Sequence, residues 1–184
     1  AEAAAVAARL RPLHWELEFP EVFFDAQGHR RPDGGFDAVL GNPPWEMLRA
    51  CTGSSDRRAT QREACREQLA FVRGSGVYRW QSGGHVNRYQ LFTERAMRLA
   101  RPGGRIGLVL PSGFATDHGS RALRRAVLER STVDTIAGFD NRAGIFPIHR
   151  GVRFLLLVTT RGGSSGRIHA RFGLTDAGAL DGWA

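Results

Sequence analysis

Short runs of β-forming apolar residues, bounded by turn residues, alternate along the chain with segments whose apolar positions recur every three to four residues. Phe36-Asp37-Ala38-Val39-Leu40, entered from Pro32-Asp33-Gly34-Gly35 and closed by Gly41, reads as a strand. Arg105 to Leu110, introduced by Pro102-Gly103-Gly104 and stopped by Pro111, reads as a second. Val133 to Phe139 and Val152 to Thr159 read as a third and fourth, close enough in sequence to pair antiparallel. Tyr89 to Ala100 carries Leu91, Phe92, Ala96 and Leu99 at helical spacing, with Arg95, Arg98 and Arg101 on other faces and a stop at Pro102-Gly103-Gly104. Gly119 to Arg130 places Leu123, Val127 and Leu128 in the same way, with Asp117 as its expected cap. The alternation predicts an α/β sheet with helices packed on its faces.

Other segments break the pattern. Asp56 to Gln68 is polar and arginine-dense and Gly74 to Gly84 is interrupted by glycine, so residues 46–87 are expected to form a loop-rich insertion. Arg161 to Gly166 reads as a wide turn or linker, and residues 167–184 as a tail. Ala1 to Leu10 is alanine-rich but carries Glu2 and Arg9, which fits a helix and not a signal peptide. Tyr89, Phe92 and Phe114 are expected inside, as aromatics at such positions usually are.

Composition narrows the chemistry. The chain has 184 residues, a formal net charge of +8, 42% hydrophobic and 24% charged residues, which suits one folded domain. Every one of the 26 basic residues is arginine. A Walker phosphate loop, a Schiff base and a lysine-dependent nuclease centre are therefore excluded from this stretch. The arginines are scattered, so charge alone points to nucleic acid only weakly. Cys51 and Cys65 have no neighbouring metal-ligand pair, and His85, His118 and His149 stand apart, so no metal and no disulfide framework is expected. That cysteine usage suits a reducing cytoplasm. The longest strongly apolar run, Phe154 to Val158, is far short of the ~20 residues of a membrane span.

The most informative stretch follows the first strand: Gly41-Asn42-Pro43-Pro44-Trp45. A motif there sits at a strand's C-terminal end, where open α/β sheets place ligands. Asn42 offers a side-chain carbonyl acceptor. Pro43 and Pro44 remove two backbone donors and fix the local φ, leaving rigid carbonyls free to accept. Two fixed acceptors suit the two hydrogens of an exocyclic amino group and favour localising its lone pair, which the ring otherwise delocalises. Trp45 offers a plane for stacking, worth roughly 1–3 kcal/mol per base.

Following a hydrophobic strand, this motif resembles motif IV of the gamma-type, amino-methylating DNA adenine methyltransferases found in fused restriction–modification and phage-defence proteins. His14 to Phe23 resembles the segment shortly before that motif, Asn87 to Ile106 resembles motifs V and VI, and Gly144-Ile145-Phe146-Pro147 before Val152 to Leu155 resembles motif VIII. The resemblance implies a Rossmann-like class I methyltransferase sheet with an antiparallel final strand, S-adenosyl-L-methionine as cofactor and double-stranded DNA as substrate. It implies that Asn42, through its side chain, and Pro43, through its carbonyl, accept from the adenine amino group, with Pro44 completing the motif. It further implies that Trp45 stacks on the flipped base and Phe146 forms the second aromatic wall.

One part of the family pattern is not found. No glycine-rich cofactor loop precedes Asn42, and Gly74-Ser75-Gly76 and Gly83-Gly84 follow it without a leading strand. Residues 1–166 are therefore expected to be the later half of a catalytic domain, inactive alone, with an upstream cofactor-binding half and a target-recognition region supplied by the same protein. Two alternatives stay open. An RNA or protein-glutamine amino methyltransferase also presents a planar amino group to such a motif. A non-catalytic basic remnant would bind nucleic acid without cofactor.

Overall fold

All four strands predicted from the apolar runs form, and a fifth joins them in the computed structural model. It describes residues 8, 11–48, 56–81 and 84–181, those from 56 to 61 by backbone alone. Apart from Ala8, the expected N-terminal helix lies outside the described residues, and so does Cys51. The strands are β1 (Phe36–Gly41), β2 (Ala100–Pro111), β3 (Ser131–Asp140), β4 (Arg153–Arg161) and β5 (His169–Leu174), in the order β1-β2-β4-β3-β5. β1 is parallel to β2 and β3 to β5, while β4 runs antiparallel to both β2 and β3. Four strands thus share one direction. Their C-terminal ends at Gly41, Pro111, Asp140 and Leu174 lie on the same side of the sheet as the start of β4 at Arg153.

The antiparallel pairing expected of the third and fourth strands is observed, from Ser131↔Arg161 to Asp140↔Arg153. The antiparallel strand is not the last, however. Residues 167–184 were expected as a tail, yet His169–Leu174 adds β5 beside β3. The connecting turn is tied down: Ser165 Oγ accepts the Val133 N–H at 2.8 Å and donates to the Ser131 carbonyl at 3.0 Å.

Helices cover the sheet. Short α1 (Trp15–Glu18) and α2 (Pro20–Phe23) precede β1, and α3 (Asp56–Gly74) and α4 (Arg88–Leu99) separate β1 from β2. α5 (Gly113–Thr116) and α6 (Arg121–Arg130) separate β2 from β3. The 19-residue α3 corrects the expected loop over 46–87. Arg, Glu, Gln and Ala are good helix formers, and a thin stripe of Cys65, Leu69 and Val72 packs against Leu48 and Val86. Asp117 does not cap α6 by its side chain; a 3₁₀ turn at His118–Ser120 precedes the helix.

The main core lies between α4, α6 and the sheet, with Tyr89, Ala96, Leu110, Leu123, Val127 and Leu157 buried. Tyr89 and Phe114 are inside as expected, but Phe92 is 53% exposed. The flank of α4 that carries it overhangs β1, whose outer edge pairs with no other described strand. Leu40 on that strand is 80% exposed. Gly35, at φ +140°, lets the entrance to β1 press on the start of β2: a Cβ there would stand 2.5 Å from the Arg101 nitrogen. No helix among the described residues is long and apolar enough to cross a membrane.

Candidate active site

β1 delivers Asn42-Pro43-Pro44-Trp45 directly at its C-terminal end, and the chain beyond is pinned on the far side. Leu48 N–H donates to the Val86 carbonyl at 2.8 Å and Arg88 N–H to the Glu46 carbonyl at 2.9 Å. Pro43 is buried, whereas Asn42 and Pro44 are exposed. Trp45 is half-buried and donates from Nε1 to the Val109 carbonyl at 3.3 Å.

Phe146 comes from the loop between β3 and β4, about a hundred residues later in sequence, and meets Trp45 across a shared support. The Trp45 ring stacks on Phe154 with centroids 6.4 Å apart and planes at 28°. Phe146 meets the same Phe154 ring edge-on at 4.9 Å and 60°, and Phe139 stacks behind it at 5.1 Å and 9°. Asn42, Pro43, Pro44, Trp45 and Phe146 line one open concavity of about 440 Å³ together with Pro147 and Ile148. All five residues singled out in the sequence are thus brought together.

None of the lining residues ionises. The concavity offers hydrogen-bond acceptors, rigid proline surface and aromatic planes, and no side-chain acid, base or nucleophile. Such a lining can orient a planar amino-bearing ligand but cannot itself shuttle a proton. Asn42, Pro43 and Pro44 also border a second concavity of about 420 Å³ that runs along β1 past Trp15, Phe36, Leu40, Phe92 and Leu108. The tripeptide is a ridge between two openings.

Two contributors escaped the sequence reading. Phe154, 2% exposed, is the platform on which both named aromatics rest; its place in an apolar run marked it only as strand. Asn141, fully buried, accepts the Phe146 N–H at 2.9 Å and donates to the Phe146 carbonyl at 3.1 Å. Its position just after a strand was the available signal. On α4 the Tyr89 hydroxyl stands 2.8 Å from Ser120 Oγ, and burial pushes its pKa up despite that hydrogen bond. Among the described residues no group of three or more His, Cys, Asp or Glu is placed to hold a metal ion.

Over residues 2–146 the sequence matches the family described as Eco57I restriction-modification methylase. The chain belongs to this family. No curated protein matches it. In solved structures the Eco57I-family chain is similar to a protein from Vibrio vulnificus described as a modification subunit of a type I restriction enzyme, at TM-score 0.52 and 19% identity over 85% of this chain. It is similar also to a component of a type I restriction–modification system, at TM-score 0.51 and 22% identity over 78% of this chain. These likenesses show a shared fold, in line with the methyltransferase-type sheet expected from the motifs. The chain spans 29% and 25% of the length of those two proteins. A class I S-adenosylmethionine-dependent methyltransferase from Listeria monocytogenes overlaps at TM-score 0.48 and 16% identity, over 76% of this chain and 37% of its own.

Proposed function

We propose that the chain is part of an S-adenosylmethionine-dependent DNA methyltransferase that modifies the exocyclic amino group of adenine. The observation that carries this reading is the ridge: Asn42, Pro43 and Pro44 border both concavities. A two-substrate transfer needs donor and acceptor to meet at one set of atoms from two sides. The aromatic opening takes the flipped base between Trp45 and Phe146, offsetting the few kcal/mol that extrusion costs. Asn42 and the Pro43 carbonyl accept both hydrogens of the amino group, which leaves its lone pair free to face the methyl donor.

When bound, the cofactor supplies an electrophilic methyl carbon. The amino nitrogen held by Asn42 and Pro43 would accept that methyl group and release one proton to solvent, and the electron pair of the cofactor's carbon–sulfur bond would stay with sulfur. The residues present fit the cofactor at this end only. The concavity along β1 is apolar, with Arg95 its one ionised lining group, and it offers no carboxylate for a ribose. Asn42 and Pro43 would flank the methyl group. The remaining cofactor contacts we assign to a glycine-rich part of the same protein that joins at the open edge of β1. The target sequence is assigned to a separate recognition region.

The test is methyl transfer from labelled S-adenosylmethionine by the complete gene product, wild type beside Asn42→Ala. Label is expected in N6-methyladenine of duplex DNA and reduced on the order of 10²-fold in the variant, as when one preorganised polar contact is removed from an active site. Undiminished incorporation by Asn42→Ala, or label only in RNA or protein, overturns the reading.

A further inference from the structure

Three of the arginines, Arg142, Arg150 and Arg153, gather beside the aromatic opening. A polar concavity of about 390 Å³ is lined there by Ser112, Asp140, Arg142, Gly151 and Arg153. Asp140 ends β3, Arg153 begins β4, and the two are partners in register. Asp140 Oδ2 accepts from Arg142 Nε at 3.0 Å, and its Oδ1 accepts the Arg142 backbone N–H at 3.1 Å. Arg153 Nε stands 3.6 Å from the same Oδ2. Arg150 Nη1 donates to the Arg142 carbonyl at 2.8 Å. One carboxylate therefore serves two guanidinium groups, and a third lies beside them, leaving two positive charges unmatched. The Arg142 and Arg153 side chains are 74% and 66% exposed. The Asp140 carboxyl is desolvated, which acts to raise its pKa. The hydrogen bonds from Arg142 and the charges of Arg142 and Arg153 outweigh this and hold it below the ordinary range.

The position follows from topology. Asp140 and Arg153 lie at the end of the sheet that carries Asn42, and β4 is two strand spacings, about 10 Å, from β1. Arg142 and Arg150 stand four residues before and four after Phe146 in one loop, so the wall of the aromatic opening and the basic rim are the same piece of chain. A nucleotide turned out of a duplex stays joined to its neighbours by a phosphate on each side, and those charges must pass the rim of whatever opening holds the base. Guanidinium forks match phosphate oxygens in geometry as well as charge.

We propose that Arg142 and Arg153, held by Asp140 and joined by Arg150, bind the DNA backbone phosphate adjoining the nucleotide held at Asn42–Trp45. This rests on the DNA reading above. The experiment measures binding of a duplex oligonucleotide by fluorescence anisotropy across a salt series, using the complete gene product. Each phosphate contact removed should lower the slope of log affinity against log salt by about 1. Arg142→Gln and Arg153→Gln are each expected to do so, while Arg142→Lys with Arg153→Lys retains most of the slope. Arg105→Gln, at the opposite end of the sheet, should leave it unchanged. Salt-dependent binding by the wild type with unaltered slopes in both Gln variants sinks the phosphate site and leaves the DNA reading standing. Salt-insensitive or absent binding by the wild type removes both.

Discussion

The backbone of Phe146 is bonded at both its polar groups to one buried side chain: Asn141 Oδ1 accepts its N–H at 2.9 Å and Asn141 Nδ2 donates to its carbonyl at 3.1 Å. The same Nδ2 lies 3.3 and 3.4 Å from the carbonyls of Ile148 and His149. Asn141 thus closes the loop that presents Phe146 to the aromatic opening. Asn141→Ala removes these bonds from a part-buried loop and is expected to cost about 1–3 kcal/mol, at a net 0.5–1.5 for each of the two bonds to Phe146. Asn141→Asp keeps the acceptor but sets a carboxylate against carbonyl oxygens. It should be at least as damaging at neutral pH and recover as the solution is acidified. Urea unfolding at two pH values checks both.

Phe154 supports Trp45, Phe146 and Phe139 together, so its removal should be felt in stability and in the shape of the opening. Phe154→Ala is expected to cost about 3–5 kcal/mol, Phe154→Leu markedly less because most of the volume is kept. The Ala variant should also expose Trp45 to water and shift tryptophan emission to longer wavelength. An unchanged spectrum together with full stability would show that the stack does not depend on Phe154.

How much of this was legible before folding follows from the reach of each signal. β1 and Asn42 to Trp45 are local, contiguous and bounded by Gly41, so pattern and chemistry pointed the same way. The helix α3 was obscured because, among its described side chains, Cys65, Leu69 and Val72 alone mark the stripe that packs inward, and its arginines dominate any average of polarity. β5 was missed because His169 to Leu174 is exposed at every position but Leu174, and its pairing with β3 is what orders it. The gathering of Arg142, Arg150 and Arg153 around Asp140 depends on the register of two strands, which no spacing rule reveals.

Two glycines with positive φ separate backbone strain from steric conflict. Gly28 has φ +80° and open space where a Cβ would stand, whereas at Gly35 that atom would meet the Arg101 and Ala100 backbone at 2.5 and 2.8 Å. Gly28→Ala should cost about 1–2 kcal/mol, the strain of a left-handed residue. Gly35→Ala must also push β1 from β2 and should cost clearly more. Denaturant midpoints measured side by side decide it, and equal losses would mean that the β1 entrance yields freely.

Asp140 makes a prediction about acid. Its carboxyl pKa is lower in the folded chain than in an unfolded one, so the unfolded chain takes up the proton more readily and stability rises with pH through this range. The contribution is fully present above the ordinary carboxylate value, about 3.9, and is lost as pH falls through the lower folded value. Asp140→Asn lacks it at every pH. The stability gap between wild type and Asp140→Asn should therefore narrow as pH drops below about 4, measured by urea midpoints. A gap that widens toward acid would contradict the sign.

Glu94 is the one fully buried carboxylate among the described residues, and it organises the segment before α4. It accepts the Arg79 N–H at 2.8 Å, the Trp80 N–H at 3.2 Å and Gln81 Nε2 at 3.3 Å, and pairs with Arg98 Nη2 at 2.6 Å. Glu94→Ala leaves the Arg79 and Trp80 N–H groups without their acceptor, at about 1–3 kcal/mol each, and is expected to cost about 2–5 kcal/mol in all. Glu94→Gln keeps one acceptor oxygen but turns an amide toward a backbone N–H, and should fall between wild type and Ala. The loss should change little between low and high salt, because the Glu94 carboxylate is itself fully buried and its bonds to backbone N–H groups are poorly screened. Amide exchange at Arg79 and Trp80 should quicken in the Ala variant while β2 and β4 keep their protection. Uniform quickening across the sheet would instead make Glu94 part of the global fold and not a local clamp.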